Sequence, residues 1–115
     1  MLVNHLMKQI DQFRDERNWR QFHNEKDLAI SISLEASELL ELFQWKSSEE
    51  VLQTNSLELK EELADVLIYS FMLASNLGCS VEEIMEEKLA RNMEKYPVAE
   101  SYGSKKKYTE LRGEK

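Results

Sequence analysis

Turn-forming residues are scarce in this chain: a single proline, Pro97, and three glycines are spread over 115 residues. A fold with many tight turns needs more of both, because glycine supplies positive φ and proline presets the turn backbone. Long helices with few joints remain, and the expected fold class is all-α. A chain of this length forms one domain and buries roughly two-thirds of its unfolded surface. With 42% hydrophobic and 32% charged residues, it has enough apolar material to fold as a soluble globule rather than stay disordered.

Periodicity places the helices. Leu2, Leu6, Ile10 and Phe13 recur at helical spacing, with Lys8, Asp11, Arg14 and Asp15 between them. This first helix is expected to reach about residue 17, followed by a connection over residues 18–24. Asn24 is a helix cap, and Glu25 and Asp27 suit the first turn of a second helix. Leu28, Ile30, Ile32 and Leu34 alternate like a strand, but they run without a break into Glu35-Ala-Ser-Glu-Leu-Leu-Glu-Leu-Phe, which is rich in strong helix formers. Helix is therefore expected to about Trp45, with an apolar surface wide enough to be buried on two sides. Residues 46–56 read as a polar, acidic linker with room for one short helical turn. Leu59, Leu63, Val66, Leu67, Ser70, Phe71, Ala74 and Leu77 form the core stripe of a third helix, which Gly78 ends. Ser80 followed three later by Glu83 is a capping box opening a fourth, and Pro97 stops it. The expected domain is residues 1–97, with a mobile tail over 98–115.

The charge balance excludes several classes. A net charge of −7 argues against a binder of duplex nucleic acid, which needs a basic face. No apolar run approaches the roughly 20 residues of a membrane span. The N-terminus lacks the apolar core of a signal peptide. Cys79 is alone and fits a reducing compartment, so the expected location is cytoplasmic.

The carboxylates carry the chemistry. Glu35 and Glu38 lie three apart on the second helix, and Glu62 and Asp65 three apart on the third, so each pair shares a helix face. On adjacent antiparallel helices the two pairs meet, and four unpaired carboxylates repel unless a divalent cation joins them. Glu-x-x-Glu is commonplace on solvated helices, but these pairs lie in the two most apolar helices of the chain. All-oxygen donors suit Mg²⁺, Mn²⁺ or Ca²⁺. Mg²⁺ keeps coordination positions open for water and phosphate oxygens, which favours a catalytic site. A di-iron bundle would need histidine after each pair, and none is there.

These residues resemble a known family. Glu35-x-x-Glu38 followed by Glu62-x-x-Asp65 is similar to the signature of the all-α nucleoside triphosphate pyrophosphohydrolases, the MazG-like superfamily, and most of all to its dCTP pyrophosphatase branch. The matching stretches are Glu16-Arg-Asn-Trp-Arg-Gln-Phe-His23, Glu35-Ala-Ser-Glu-Leu-Leu-Glu-Leu-Phe-Gln-Trp45, Glu61-Glu-Leu-Ala-Asp-Val-Leu-Ile-Tyr69, Lys88-x-x-x-Asn92 with Lys95-Tyr96-Pro97, and Lys107-Tyr-Thr-Glu-Leu111. They occur in order and span nearly the whole chain. The resemblance implies a four-helix bundle assembled as a dimer or a dimer of dimers, with Mg²⁺ (or Mn²⁺) and a (d)NTP substrate. One departure is Ile10, where that branch often carries histidine, and it leaves the choice between dCTP and related nucleotides open.

Roles follow from the resemblance. Glu35, Glu38, Glu62 and Asp65 are expected to hold the metal, one helix-two glutamate also serving the attacking water. Glu41 and Glu61 read as solvated. Trp45 falls seven residues after Glu38, within about 20° on a helical wheel, where an indole can stack on a nucleobase. Trp19 and Phe22 form the other side of the base pocket, although core packing suits Phe22 at least as well, and His23 contacts sugar or base or else helps start the second helix. Tyr69 follows Glu62 by seven and faces the sugar, or else packs in the bundle. Lys88 and Asn92, four apart, suit the triphosphate tail, whereas Arg91, Lys95 and Lys8 read as surface cations. The expected reaction is (d)NTP to (d)NMP and pyrophosphate. The rivals are a pyrophosphohydrolase of another nucleotide and a non-catalytic helical interaction module.

Overall fold

The structure, a computed structural model, describes residues 2–107. The described residues contain helices and turns and no strand. They form α1 (Leu2–Glu16), a 3₁₀ turn (Arg20–Phe22), α2 (Glu25–Glu41), α3 (Ser48–Thr54), α4 (Ser56–Asn76), α5 (Val81–Lys95) and α6 (Val98–Ser101). The chain divides into two compact units, residues 1–80 and 81–115. No single described helix is long and apolar enough to cross a membrane.

In the first unit, local chemistry sets the helix ends. α1 closes with Trp19 N–H donating to Arg14 O at 2.9 Å and Asn18 N–H to Asp15 O at 3.0 Å. This is the paired bonding of a Schellman cap, with Asn18 in the left-handed position at φ 53°. Asn24 caps α2, its Oδ1 accepting from Asp27 N at 2.8 Å. α4 ends in the same way as α1: Gly78 (φ 68°) donates to Ser75 O and Cys79 to Ala74 O. No atom lies within 4 Å of where a Gly78 Cβ would sit, so backbone conformation alone calls for glycine there.

α2 packs most extensively on α4, and α1 also crosses α4. The core gathers Ile10, Leu28 and Met72, with Tyr69, Phe71 and Leu73 packed against it. Much of the expected apolar stripe lies outside this core. Leu63 and Leu67 on α4 are 49% exposed, and Leu34 and Leu40 on α2 are 59% and 69% exposed.

Three expectations are corrected. Helix was expected to Trp45, but α2 ends at Glu41 and residues 42–46 form successive tight turns, including Lys46 N–H to Phe43 O at 3.0 Å. The residue that turns the chain is Trp45 itself, at φ 64°. The polar linker contains α3, whose N-cap Ser47 accepts from Glu50 N at 3.2 Å, and whose Val51 is fully buried. On α1 the buried residues are Ile10 and Arg14, one turn apart, while Leu2, Leu6 and Phe13 are exposed.

In the second unit, α5 starts directly after Ser80 and ends at Lys95, two residues before Pro97. The expected tail begins with one more helical turn. Pro97 supplies the carbonyl that receives Glu100 N–H at 3.1 Å and Ser101 N–H at 2.9 Å. Residues 108–115, with positions 108–111 of the last matching stretch, lie outside the described residues.

Candidate active site

Glu35 rides on α2 and Glu62 and Asp65 on α4, and the packing of these two helices brings them together. One carboxylate oxygen from each lies within 4.8 Å of the other two. Glu35 and Glu62 are half-buried. The Oε2 atoms of both are buried without a hydrogen-bond partner among the described residues. An unpaired carboxylate oxygen taken out of water is costly, and hard-cation ligation satisfies it. The donor set is all oxygen, so the site fits a divalent cation such as Mg²⁺ or Mn²⁺ by the chemistry of its ligands.

The electrostatics say the same. Burial, then the neighbouring Glu38, pushes the Glu35 carboxyl up from 4.5 to about 7, with Glu62 and Asp65 adding to the rise. Glu62 is raised too, first by burial and then by Glu38. Glu38 is exposed, yet its charge reaches both neighbours. The fourth expected carboxylate therefore stands at the edge of a tight triad.

The aromatic residues lie apart from the carboxylates in sequence. Trp19 is 41% exposed and is met edge-on by Phe13 at 5.5 Å and by His23 at 6.4 Å between ring centroids. The Arg17 guanidinium sits over the Phe13 ring at 4.0 Å. Phe22 is 62% exposed and is not a core residue. His23 is held below its usual range, chiefly by burial and then by Arg14 and Arg20, so its imidazole is neutral near pH 7. Trp45 is 93% exposed, and because α2 ends before it, the helical-wheel argument no longer relates it to Glu38. Tyr69 is half-buried against the Ile10–Leu28–Met72 core. In the second unit, Lys88 and Asn92 lie one turn apart on α5, Lys88 exposed and Asn92 half-buried.

Sequence reasoning missed a buried polar network. Arg14 has no exposed surface. Its Nε donates to Asp11 Oδ1 at 3.1 Å and its Nη2 to Asn76 Oδ1 at 3.0 Å. Ser75 Oγ donates to the other Asp11 oxygen at 2.6 Å, and Asn76 Nδ2 donates to the His23 carbonyl at 2.6 Å. The available signal was the spacing of Arg14 one turn after Ile10 on the buried face.

A model of the MazG-like family matches residues 30–111. The chain belongs to the MazG-like family. The family match includes all four carboxylates, Lys88 and Asn92, and starts after Trp19 and His23. Over 105 residues the chain is 40% identical to the mouse (Mus musculus) protein dCTP pyrophosphatase 1 and 37% identical to the human (Homo sapiens) protein of that name, with 87% of this chain covered in each case. It spans 62% of the length of these curated relatives. A pyrophosphatase of known structure from Archaeoglobus fulgidus is 42% identical, with a TM-score of 0.78 over 84% of this chain and 94% of that one. This MazG-like chain therefore shares its fold with a solved pyrophosphatase.

Proposed function

We propose that this MazG-like chain is a divalent-cation-dependent nucleoside triphosphate pyrophosphohydrolase. It converts dCTP or a related (d)NTP to the monophosphate and pyrophosphate. The observation that carries this reading is the triad of Glu35, Glu62 and Asp65 within 4.8 Å, with two buried carboxylate oxygens lacking partners. The names of the relatives support the reaction class and the base. A helical interaction module would leave these carboxylates in solvent, and the half-burial of Glu35 and Glu62 speaks against it.

Glu35, Glu38, Glu62 and Asp65 would hold Mg²⁺ or Mn²⁺, which would neutralise charge on the triphosphate and make a water more acidic. Water attacks the α-phosphorus in line, and pyrophosphate departs with the α–β bridging oxygen. One of the helix-two glutamates takes the water proton, and we assign this to Glu38, which is exposed at the edge of the triad. Lys88 and Asn92 bind the phosphate tail. Trp19 and Trp45 stack on the base, His23 lines its pocket, and Tyr69 supports the sugar side. The active form is a homo-oligomer, dimer or tetramer, that works in the cytoplasm on nucleotide pools. Residues 1–97 form its catalytic domain, and 98–115 its tail.

The test is incubation with Mg²⁺ and each (d)NTP in turn, with products separated by chromatography. Monophosphate with pyrophosphate is expected, dCTP being turned over best. Diphosphate with phosphate would overturn the reaction, and turnover of none would overturn the activity.

A further inference from the structure

We propose that Arg14 and Asn76 are positioning residues that hold the Trp19–His23 segment as one wall of the nucleobase pocket. The proposal rests on the pyrophosphohydrolase reading above. It begins from a cost. A guanidinium with no exposed surface is costly unless its charge is paired. Arg14 meets Asp11 at 2.9 Å, Asn76 at 3.0 Å and the Met72 carbonyl at 3.5 Å through Nη2, while its Nη1 has no partner among the described residues. These partners lie on α1 and α4, so the buried charge pins the two helices in one register.

Asn76 passes that order on. Its Oδ1 accepts from Arg14 and its Nδ2 donates to the His23 carbonyl at 2.6 Å. Only one amide orientation satisfies both, because arginine has no acceptor and a carbonyl has no donor. The far end of the segment is thereby fixed. The near end is fixed by the Trp19 N–H on the Arg14 carbonyl at 2.9 Å. Between the two anchors, Phe13 and His23 brace the indole edge-on, and 41% of Trp19 stays open. A half-open, laterally braced indole is suited to stacking, and stacking weakens when the ring is free to swing. Neither Arg14 nor Asn76 touches the substrate in this arrangement; each acts through the segment.

Asn76→Asp separates the two roles of the amide. It keeps an acceptor for Arg14, which protects the fold, and sets a carboxylate against the His23 carbonyl. Arg14→Met is the second variant, and circular dichroism reports whether each is folded. In a Trp45→Phe background Trp19 is the only tryptophan. There, Asn76→Asp is expected to red-shift the emission and raise its quenching by acrylamide. With Trp45 present, KM for the preferred nucleotide should rise about tenfold, the scale of one lost base–aromatic stack, while kcat holds. The inhibition constant of inorganic tripolyphosphate, which has no base, should not change. A tripolyphosphate constant that rises together with KM would mean general disruption and overturn the proposal. So would emission, quenching and KM that all stay at their starting values. If the unsubstituted protein turns over no nucleotide, the reading beneath the proposal fails instead, and that result is seen before any variant is made.

Discussion

Carboxylates crowded as Glu35, Glu62 and Asp65 are cannot all ionise without a countercharge, and this makes the site a stability liability as well as a ligand set. Glu35 titrates near 7 in the folded chain, against 4.5 for a free carboxyl. The unfolded chain therefore gives up this proton first. The group's contribution to stability is whole below about pH 4.5 and is lost as pH rises through about 7. Thermal melts of metal-free protein should show a falling midpoint over that window. With saturating Mg²⁺ the trend should reverse, because the cation binds only the ionised set. A midpoint that ignores pH without metal would sink this account. Glu35→Gln should raise the metal-free midpoint at pH 8, remove the Mg²⁺-induced shift and abolish turnover. Glu38→Gln should keep the fold and lower kcat by about 10²–10⁴-fold, the usual worth of a positioned proton acceptor. Near-wild-type turnover in Glu38→Gln would reassign that role. Trp45 poses a different case. A bulky residue at positive φ is rare, and the left-handed backbone costs it roughly 1–2 kcal/mol. Strain of this kind collects at functional sites. Trp45→Gly should melt no lower than wild type and yet raise KM for nucleotide. A lower midpoint with KM unchanged would show that the indole serves packing instead.

Helix α2 carries Glu35 and Glu38, so its start is worth testing. Asn24 accepts from Asp27 N, and Asn24→Ala should cost about 1 kcal/mol, read as a drop in melting midpoint. An unchanged midpoint would mean that tertiary packing alone holds this end. Starts and stops of this type were legible in the sequence because they are local. Asn24, Gly78 and Pro97 act on their immediate neighbours, and the helices begin or end where those residues imply. The end of α2 was not legible. Good helix formers run on past Glu41, and the chain is turned by a tryptophan in a place where glycine is the usual signal. α3 was hidden in another way. Its Ser47–Glu50 cap was present, but a seven-residue helix in a polar stretch offers little periodicity, and only Val51 is fully buried. Arg14 eluded the reading because a lone arginine defaults to the surface. Its spacing from Ile10 is the one local trace, and its partner Asn76 lies 62 residues away, beyond the reach of any local pattern. That Glu62 and Asp65 share one face of α4 was legible because three-residue spacing on a helix is geometry that tertiary structure does not alter.

A chain of this size has little interior, and the described residues confirm how little. Only six hydrophobic side chains among the described residues are buried, while Leu34, Leu40, Leu63 and Leu67 on α2 and α4 stay about half-exposed or more. The wide apolar surface of α2, which read as burial on two sides, is covered on one side by α4. Its other side carries Ile30, Leu34 and Leu40, each at least 47% exposed. At about 25 cal/mol per Å² of apolar surface removed from water, covering such faces is a large driving force compared with the few kcal/mol by which small domains are stable. Self-association is the economical way for one gene product to cover them. Sedimentation of the purified protein should therefore show a dimer or tetramer at micromolar concentration. A charge placed on the apolar faces has no partner and must stay in water, so the double variant Leu40→Asp, Leu67→Asp should shift the distribution towards monomer. Because α2 and α4 also hold the carboxylates, the same variant should lose Mg²⁺-dependent turnover in step with dissociation, and raising its concentration should restore part of both. A wild-type protein that sediments as a monomer with full activity would show that one chain completes the site alone, and the exposed leucines would then have no part in catalysis.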